Sequence, residues 1–286
     1  MVISVKLLEG KKVAQALDET MTKRVQLLKQ KGITPGLAVI LVGDNSASAV
    51  YVRNKKRRAE KLGIDFQLIH FDATVSEKEL LAKIDELNHD QTIDGFIVQL
   101  PVPDHIDEDK VIEAISPKKD VDGFTPISVG NLWIGTPLTK PATASGILMM
   151  LDYYNVNLDG KNVVIVGRSN IVGKPTAALM LDRNATVTIT HSHTKHLKEI
   201  TKKADVLVVA IGQSKFITKE YVKDQAIVID VGMDRDENGK LCGDVDFDDV
   251  KEKVSMITPV PGGVGPMTIT ALVDQVIELA EGRANG

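Results

Sequence analysis

Apolar and polar positions follow one another along this chain in two rhythms. Continuous apolar runs at 37–43 (LAVILVG), 66–71 (FQLIHF) and 95–100 (GFIVQL) predict strands. Stretches with a helical repeat, at about 10–30, 46–62 and 76–89, precede or separate them. A Pro- and Gly-rich passage from Pro101 to Gly146 interrupts the pattern. The alternation then resumes, with strands predicted at 162–167, 186–190, 205–212 and 226–232 and helices at 174–183 and 195–203. The final stretch MTITALVDQVIELAEG reads as an amphipathic helix after the turn PGGVGP, expected to return to the first half of the chain. Short apolar strands between helices imply parallel sheets covered on both faces. At 286 residues the chain is long enough for two α/β domains, each with its own core.

Within this pattern one helix breaks its own rule. The segment 46–64, SASAVYVRNKKRRAEKLGI, holds Arg53, Lys55, Lys56, Arg57 and Arg58 within six positions. Wound at 100° per residue, it places Ser48, Val52, Lys55, Ala59 and Leu62 on one inward stripe. Lys55 therefore stands where an alanine or leucine is expected, with Tyr51 one turn before it. The alternatives are a lysine snorkelling over an apolar rim and a buried amine with chemistry to do. The other four cations read mostly as a solvated face.

Composition narrows the choices. The net charge is −4, so the cation cluster is local, which argues against a nucleic-acid partner. A single cysteine, Cys242, leaves no intrachain disulfide and suits a reducing compartment. The first residues, MVISVKLLEGKK, lack the apolar run of a signal peptide, and no apolar stretch reaches bilayer length. The expectation is a cytoplasmic protein with no membrane contact.

Three stretches carry candidate chemistry. VVIVGRSNIVGKP (163–175) is a strand, a glycine turn and a helix start, where backbone N–H groups would face a phosphate. It departs from G-x-G-x-x-G, since Ser169 takes the second glycine position, and an ordinary βα turn is the alternative. The next strand ends in THSHTK, so His191, Ser192 and His193 stand where an NAD site usually has an acid. With Arg168 nearby, that favours a 2′-phosphate and hence NADP over NAD. A metal site at His191, His193 and His196 is disfavoured, because no acids cluster with them. VQLPVPDH (98–105) puts the Gln99 amide at the carboxyl edge of the first sheet, and KKDVDGF (118–124) puts Asp120 and Asp122 in a turn. Strand-end capping and turn formation are the bland alternatives. TPVPGGVGPMT (258–268) holds three glycines and three prolines, suiting either close approach to a ligand or a rigid hinge.

Together these motifs resemble the bifunctional methylenetetrahydrofolate dehydrogenase/methenyltetrahydrofolate cyclohydrolases. YVRNK, VQLPVP, KDVDG, GRSNIVGKP, GDV and ITPVPGGVGPMT occur in that family's order over nearly the whole chain. The resemblance implies a folate-binding α/β domain over 1–141, with the C-terminal helix (268–286) packed back on it. It implies a Rossmann-type NADP domain over 142–267 and an active-site cleft between the two. Tyr51 would stack on substrate, Lys55 would be catalytic, Gln99 its partner and Asp122 the pterin anchor. Val98, Leu100 and Pro261, Gly262, Gly263, Val264 and Gly265 would line the folate site. Gly167, Arg168, Ser169, Ile171, Ser192 and Met233 would hold NADP, with no metal. A homodimer acting on tetrahydrofolate derivatives follows from the same resemblance. Two motifs depart from the family: Pro141-Ala142-Thr143-Ala144-Ser145-Gly146 lacks a Cys and a Pro, and Glu9-Gly10-Lys11 replaces D-G-K. The competing readings are a dehydrogenase alone, folate- or shikimate-type, and a dinucleotide-sensing protein without turnover.

Overall fold

The computed structural model describes residues 5–285. The chain divides into two compact units: residues 17–142 with the chain from 269 onward, and residues up to 16 with 143–268.

The first unit is built on three parallel strands, with Gly36–Val42 between Asp65–Phe71 and Gly95–Val98. The central strand is buried at every position, as its unbroken apolar run requires. Helix Ser46–Leu62 connects the central strand to Asp65–Phe71, and Glu77–His89 connects that strand to Gly95–Val98. Ile40, Leu80, Ile84, Phe96 and Val111 form the centre of this unit's core. The strand Asp65–Phe71 differs from expectation: it is an outer strand, and most of its residues reach solvent. Its polar positions, Gln67 and His70, already mark it as less buried than its neighbours.

The Pro- and Gly-rich passage is more ordered than its composition suggests. It contains helices Glu108–Ala114, Pro126–Trp133 and Ala142–Tyr153. The first is capped by Asp107, whose side chain accepts from the Asp109 and Lys110 amides. The second is capped by Thr125, which accepts from the Ser128 amide, and has Pro126 at its first position.

The second unit carries six parallel strands in the order Lys6–Leu7, Met256–Ile257, Ile227–Asp230, Val206–Val209, Asn162–Val166, Thr186–Thr190. The four strands predicted from apolar runs are all present. The two others are only two residues long and leave no periodic signal. Because Lys6–Leu7 pairs with Met256–Ile257, the chain up to residue 16 falls in this unit and not, as the sequence suggested, with the first domain. The strand order reverses direction between Asn162–Val166 and Val206–Val209, where α/β sheets open a crevice at their carboxyl edge.

Candidate active site

The basic helix buries the stripe read from its sequence: Ser48, Val52, Lys55, Ala59 and Leu62 are all buried, and Lys55 is 8% exposed. The helix starts cleanly because the Asn45 side chain accepts from the Ser48 amide at 3.0 Å. Arg53, Lys56 and Arg57 face solvent, as expected. Arg58 does not: it pairs with Asp18 and donates to Thr270 Oγ1 at 3.2 Å, so it belongs to the packing between helices.

Lys55 Nζ donates to Gln99 Oε1 at 3.0 Å. The Gln99 backbone amide extends the strand pairing to Ile40 O at 2.8 Å. Its side-chain Nε2 donates to Leu100 O at 3.0 Å, which turns Oε1 toward the lysine. Lys55 thus gains an orienting acceptor that brings no negative charge. Burial pushes the ammonium below its ordinary pKa, while Asp122 pulls in the opposite direction. Tyr51 lies one turn away and is 36% exposed, which presents it as a stacking residue.

The two acids of KKDVDGF separate into different roles. Asp120 is buried and accepts from the amides of Gly123, Phe124 and Thr125 at 2.8, 3.3 and 2.8 Å. It is the turn former. The Asp122 side chain accepts none of those three amides. Burial pushes its carboxyl up, Lys55 pulls it down, and Asp120 adds a smaller upward push. Beside the two acids is a narrow cavity with room for about one water, lined by Val98, Leu100, Val111, Ile115 and Phe124. In this unit the fold therefore brings together Lys55, Gln99, Leu100, Val98 and Asp122.

In the second unit the glycine turn sits at the reversal point. Gly167 has φ +125°, and a Cβ there would fall 2.2 Å from Ala210 O. A Cβ on Gly173 would fall 2.3 Å from Gly167 O, so the turn closes only with glycine at both places. The helix Gly173–Leu181 follows, but its first amides are not open as the sequence suggested. Ser169 Oγ accepts from Val172 and Gly173 N–H at 3.2 and 3.3 Å. That leaves the hydroxyl proton of Ser169 to donate outward, so the serine replaces a glycine with a side-chain donor. Gly167 N–H donates to Thr190 O at 2.9 Å, which sets Arg168 next to the turn at His191–Thr194. Arg168, Ser192 and His193 are exposed there, and Ile171 and Met233 are about half exposed. The His191 ring nitrogen Nδ1 accepts from the His193 amide at 3.2 Å, a local turn contact.

Two features of this edge were not legible in advance. Asp244, fully buried, accepts from the amides of Ile211 and Gln213 at 2.7 Å each. Asp230 accepts from Gly232, Asp244 and Val245 at 3.0 Å each, and burial raises its pKa to about 7 against the pull of those amides. The GDV motif is thus a brace for the loops after two central strands. Likewise the PGGVG loop, Pro261 to Gly265, is held by the first helix: Lys11 N–H donates to Gly262 O at 3.2 Å. A Cβ on Gly10 would fall 1.9 Å from Gly263 O, which accounts for the glycine of Glu9-Gly10-Lys11.

A phosphate-sized turn at a sheet reversal point, next to a cationic edge, defines a dinucleotide-binding α/β enzyme with a separate unit carrying a buried amine. Residues 8–122 match the catalytic domain of the tetrahydrofolate dehydrogenase/cyclohydrolase family, and residues 141–284 match its NAD(P)-binding domain. The chain belongs to that family. It is 58% identical to the bifunctional protein FolD of Streptococcus pyogenes serotype M1 over 275 residues, 96% of this chain and 97% of that one. The bifunctional FolD enzyme of Campylobacter jejuni superposes with a TM-score of 0.96 at 46% identity, over 98% of this chain and 99% of that one. The methylenetetrahydrofolate dehydrogenase-cyclohydrolase of Trypanosoma brucei, solved with NADP cofactor and an inhibitor, gives 0.93 at 35% identity over 99% of each chain. This protein is therefore a bifunctional enzyme of one-carbon metabolism: it oxidises 5,10-methylenetetrahydrofolate and hydrolyses the methenyl product to 10-formyltetrahydrofolate. The shikimate-type and non-catalytic readings are set aside.

Proposed function

We propose that Lys55 is the proton-handling group of the hydrolysis, with Gln99 orienting it, Tyr51 stacking on substrate and Asp122 anchoring the pterin. The observation that carries this is the buried Lys55 amine, 3.0 Å from a neutral amide acceptor. An ordinary lysine pKa, about 10.4, is too high for a base near neutrality. Burial lowers it, and the cationic methenyl substrate would lower it further. Lys55 can then hold and move the proton of the attacking water, while Gln99 fixes the direction of its lone pair. Asp122 can accept from the amino and N–H edge of a pterin. Val98 and Leu100 line the wall beside it, and Pro261, Gly262, Gly263, Val264 and Gly265 are assigned to the folate on resemblance.

The cofactor is proposed to be NADP, held by Gly167, Arg168, Ser169, Ile171, Ser192 and Met233. When bound it supplies the hydride acceptor for the oxidation. The turn fits it: glycines clear the backbone, Ser169 offers a hydroxyl proton, and Arg168 beside Ser192 suits a 2′-phosphate with no acid in the turn to repel it. The catalytic unit is assigned to the N-terminal part with the C-terminal helix, and the NADP unit to the middle of the chain. No helix among the described residues is long and apolar enough to cross a membrane, and a cytoplasmic location is proposed. A homodimer is proposed as well, supported by the outer strand Asp65–Phe71, unpaired on one edge among the described residues, with Leu68 44% exposed.

The test is a pair of assays on Lys55→Met, methenyl hydrolysis by absorbance loss and NADPH formation from the methylene substrate. Hydrolysis should be abolished and the dehydrogenase step reduced less, because hydride transfer depends mainly on alignment. A buried lysine favours its neutral form, so its folded pKa lies below the unfolded one and it subtracts stability at neutral pH. The variant should therefore melt at or above the wild-type temperature. Lys56→Met, on the exposed side, is the control and should leave both activities unchanged. Near-normal hydrolysis by folded Lys55→Met would overturn the assignment.

A further inference from the structure

We infer that Gln275 is a positioning residue for folate binding, fixing the turn that carries Asp122; this rests on the reading of Asp122 as the pterin anchor. Gln275 lies on the C-terminal helix Val264–Asn285, one or two turns beyond Ala271 and Met267 on a buried stripe, and is itself only 5% exposed. Its side chain is bonded at both ends. Nε2 donates to Val121 O at 3.0 Å, and Oε1 accepts from the Lys140 backbone N–H. Val121 is the residue immediately before Asp122, so the carbonyl held by Gln275 belongs to the peptide that leads into the anchor.

The surrounding contacts hold the turn on either side of that peptide, and Val121 N–H also donates to Lys119 O at 3.0 Å. Upstream, the turn is tied to the central sheet by Phe96 N–H to Lys119 O at 3.0 Å. The Val121 side chain presses on the strand where a Cβ at Gly95 would fall 2.1 Å from its Cγ1. Asp120 closes the turn on itself. Downstream, Gly123 lies against Pro141, where a Cβ would be 3.0 Å from the proline Cδ. Gln275 joins the two pressed segments, 121 and 140, with one amide. An amide is the group that fits, since one side faces a carbonyl and the other an N–H. Neither a carboxylate nor an aliphatic chain of the same length can serve both.

A positioning role and a purely structural one separate kinetically. Loss of the Val121 bond lets the Asp122 carboxylate move relative to its target, which weakens substrate binding in both reactions. A structural role lowers the amount of folded enzyme and leaves the affinity of what remains unchanged. The experiment measures KM and kcat for methylene- and methenyltetrahydrofolate in Gln275→Met, Gln275→Glu and Asp122→Asn, with active sites counted by NADP titration. Gln275→Glu keeps an acceptor for Lys140 but sets an oxygen against the Val121 carbonyl, so it tests that bond even if the methionine variant folds poorly. The expected result is a rise in folate KM of about tenfold in both activities for each Gln275 variant, the effect of one lost buried hydrogen bond, with NADP affinity unchanged. A raised KM in Asp122→Asn with unchanged KM in the Gln275 variants would overturn this inference and leave the anchor standing. An unchanged KM in Asp122→Asn would overturn the anchor and this inference together.

Discussion

Lys55 and Gln275 occupy equivalent places in their helices, each a polar tip on a buried and largely apolar stripe. Burying such a group costs free energy unless every donor and acceptor is met. Gln275 has a partner at each end of its amide. Lys55 meets that condition with the bond to Gln99 and a lowered proton affinity, which is the state a base requires. The balance between its two influences gives a signed pH prediction. Burial pushes the Lys55 pKa down and Asp122 holds it up, so Asp122→Asn should let the amine lose its proton at lower pH. At saturating methenyltetrahydrofolate, the acidic limb of hydrolysis should therefore move to lower pH in that variant. A limb that stays in place, or moves upward, would mean that another group titrates. The same periodicity that exposed Lys55 in the sequence also marks Gln275, but an amide in an amphipathic helix draws less notice than a cation. Pattern and spacing alone did not separate Asp120 from Asp122, since both acids sit in one turn; the resemblance singled out Asp122, and the hydrogen bonds make Asp120 the turn former.

At the scale of elements, the C-terminal helix is fastened to the first unit by charge as well as by apolar packing. Arg283 reaches the buried Asp94 through Nε at 2.8 Å and an Nη at 3.0 Å, and Asp94 also accepts from the Gly36 amide at 2.8 Å. Nearer its middle, Arg24 pairs with Asp274 and Glu281. Removing Arg283 leaves the Asp94 charge buried without its partner, a change that costs more than the pair contributes. Because the arginine is partly exposed, the expected loss in Arg283→Ala is about 2 kcal/mol, or roughly 4–8 °C in melting temperature for a unit of this size. Arg57→Ala, on a solvated face, should melt like wild type; calorimetry on both checks it. The long elements were legible because apolar runs and helical stripes declare themselves. The helices Glu108–Ala114 and Pro126–Trp133 were missed because their signal lies in caps, Asp107 and Thr125-Pro126, within a passage read by its prolines and glycines.

At the scale of the whole molecule, the outer strand Asp65–Phe71 leaves one edge of the three-stranded sheet unpaired among the described residues. Exposed edges of this kind are usually covered or charged, and this one carries an exposed leucine. If a second copy covers it, Leu68→Glu should convert a species of twice the chain mass to one of the chain mass in sedimentation, with secondary structure intact. An unchanged mass would remove this strand from the interface.

The boundaries between the two units have a consequence for synthesis. They fall after Ala16, Ala142 and Thr268, and each lies within a helix: Gly10–Gln30, Ala142–Tyr153 and Val264–Asn285. There is no linker at which the chain changes from one unit to the other. The three-stranded unit still lacks Asp274, Gln275, Glu281 and Arg283 when its sheet is complete, because they lie far along the chain beyond its last strand, Gly95–Val98. The six-stranded unit has its last strand, Met256–Ile257, before then. The three-stranded unit thus has its sheet translated before most of the six-stranded one, yet receives its last helix after it, and a nascent chain arrested just past Thr268 would carry a folded dinucleotide unit and an unfinished catalytic unit.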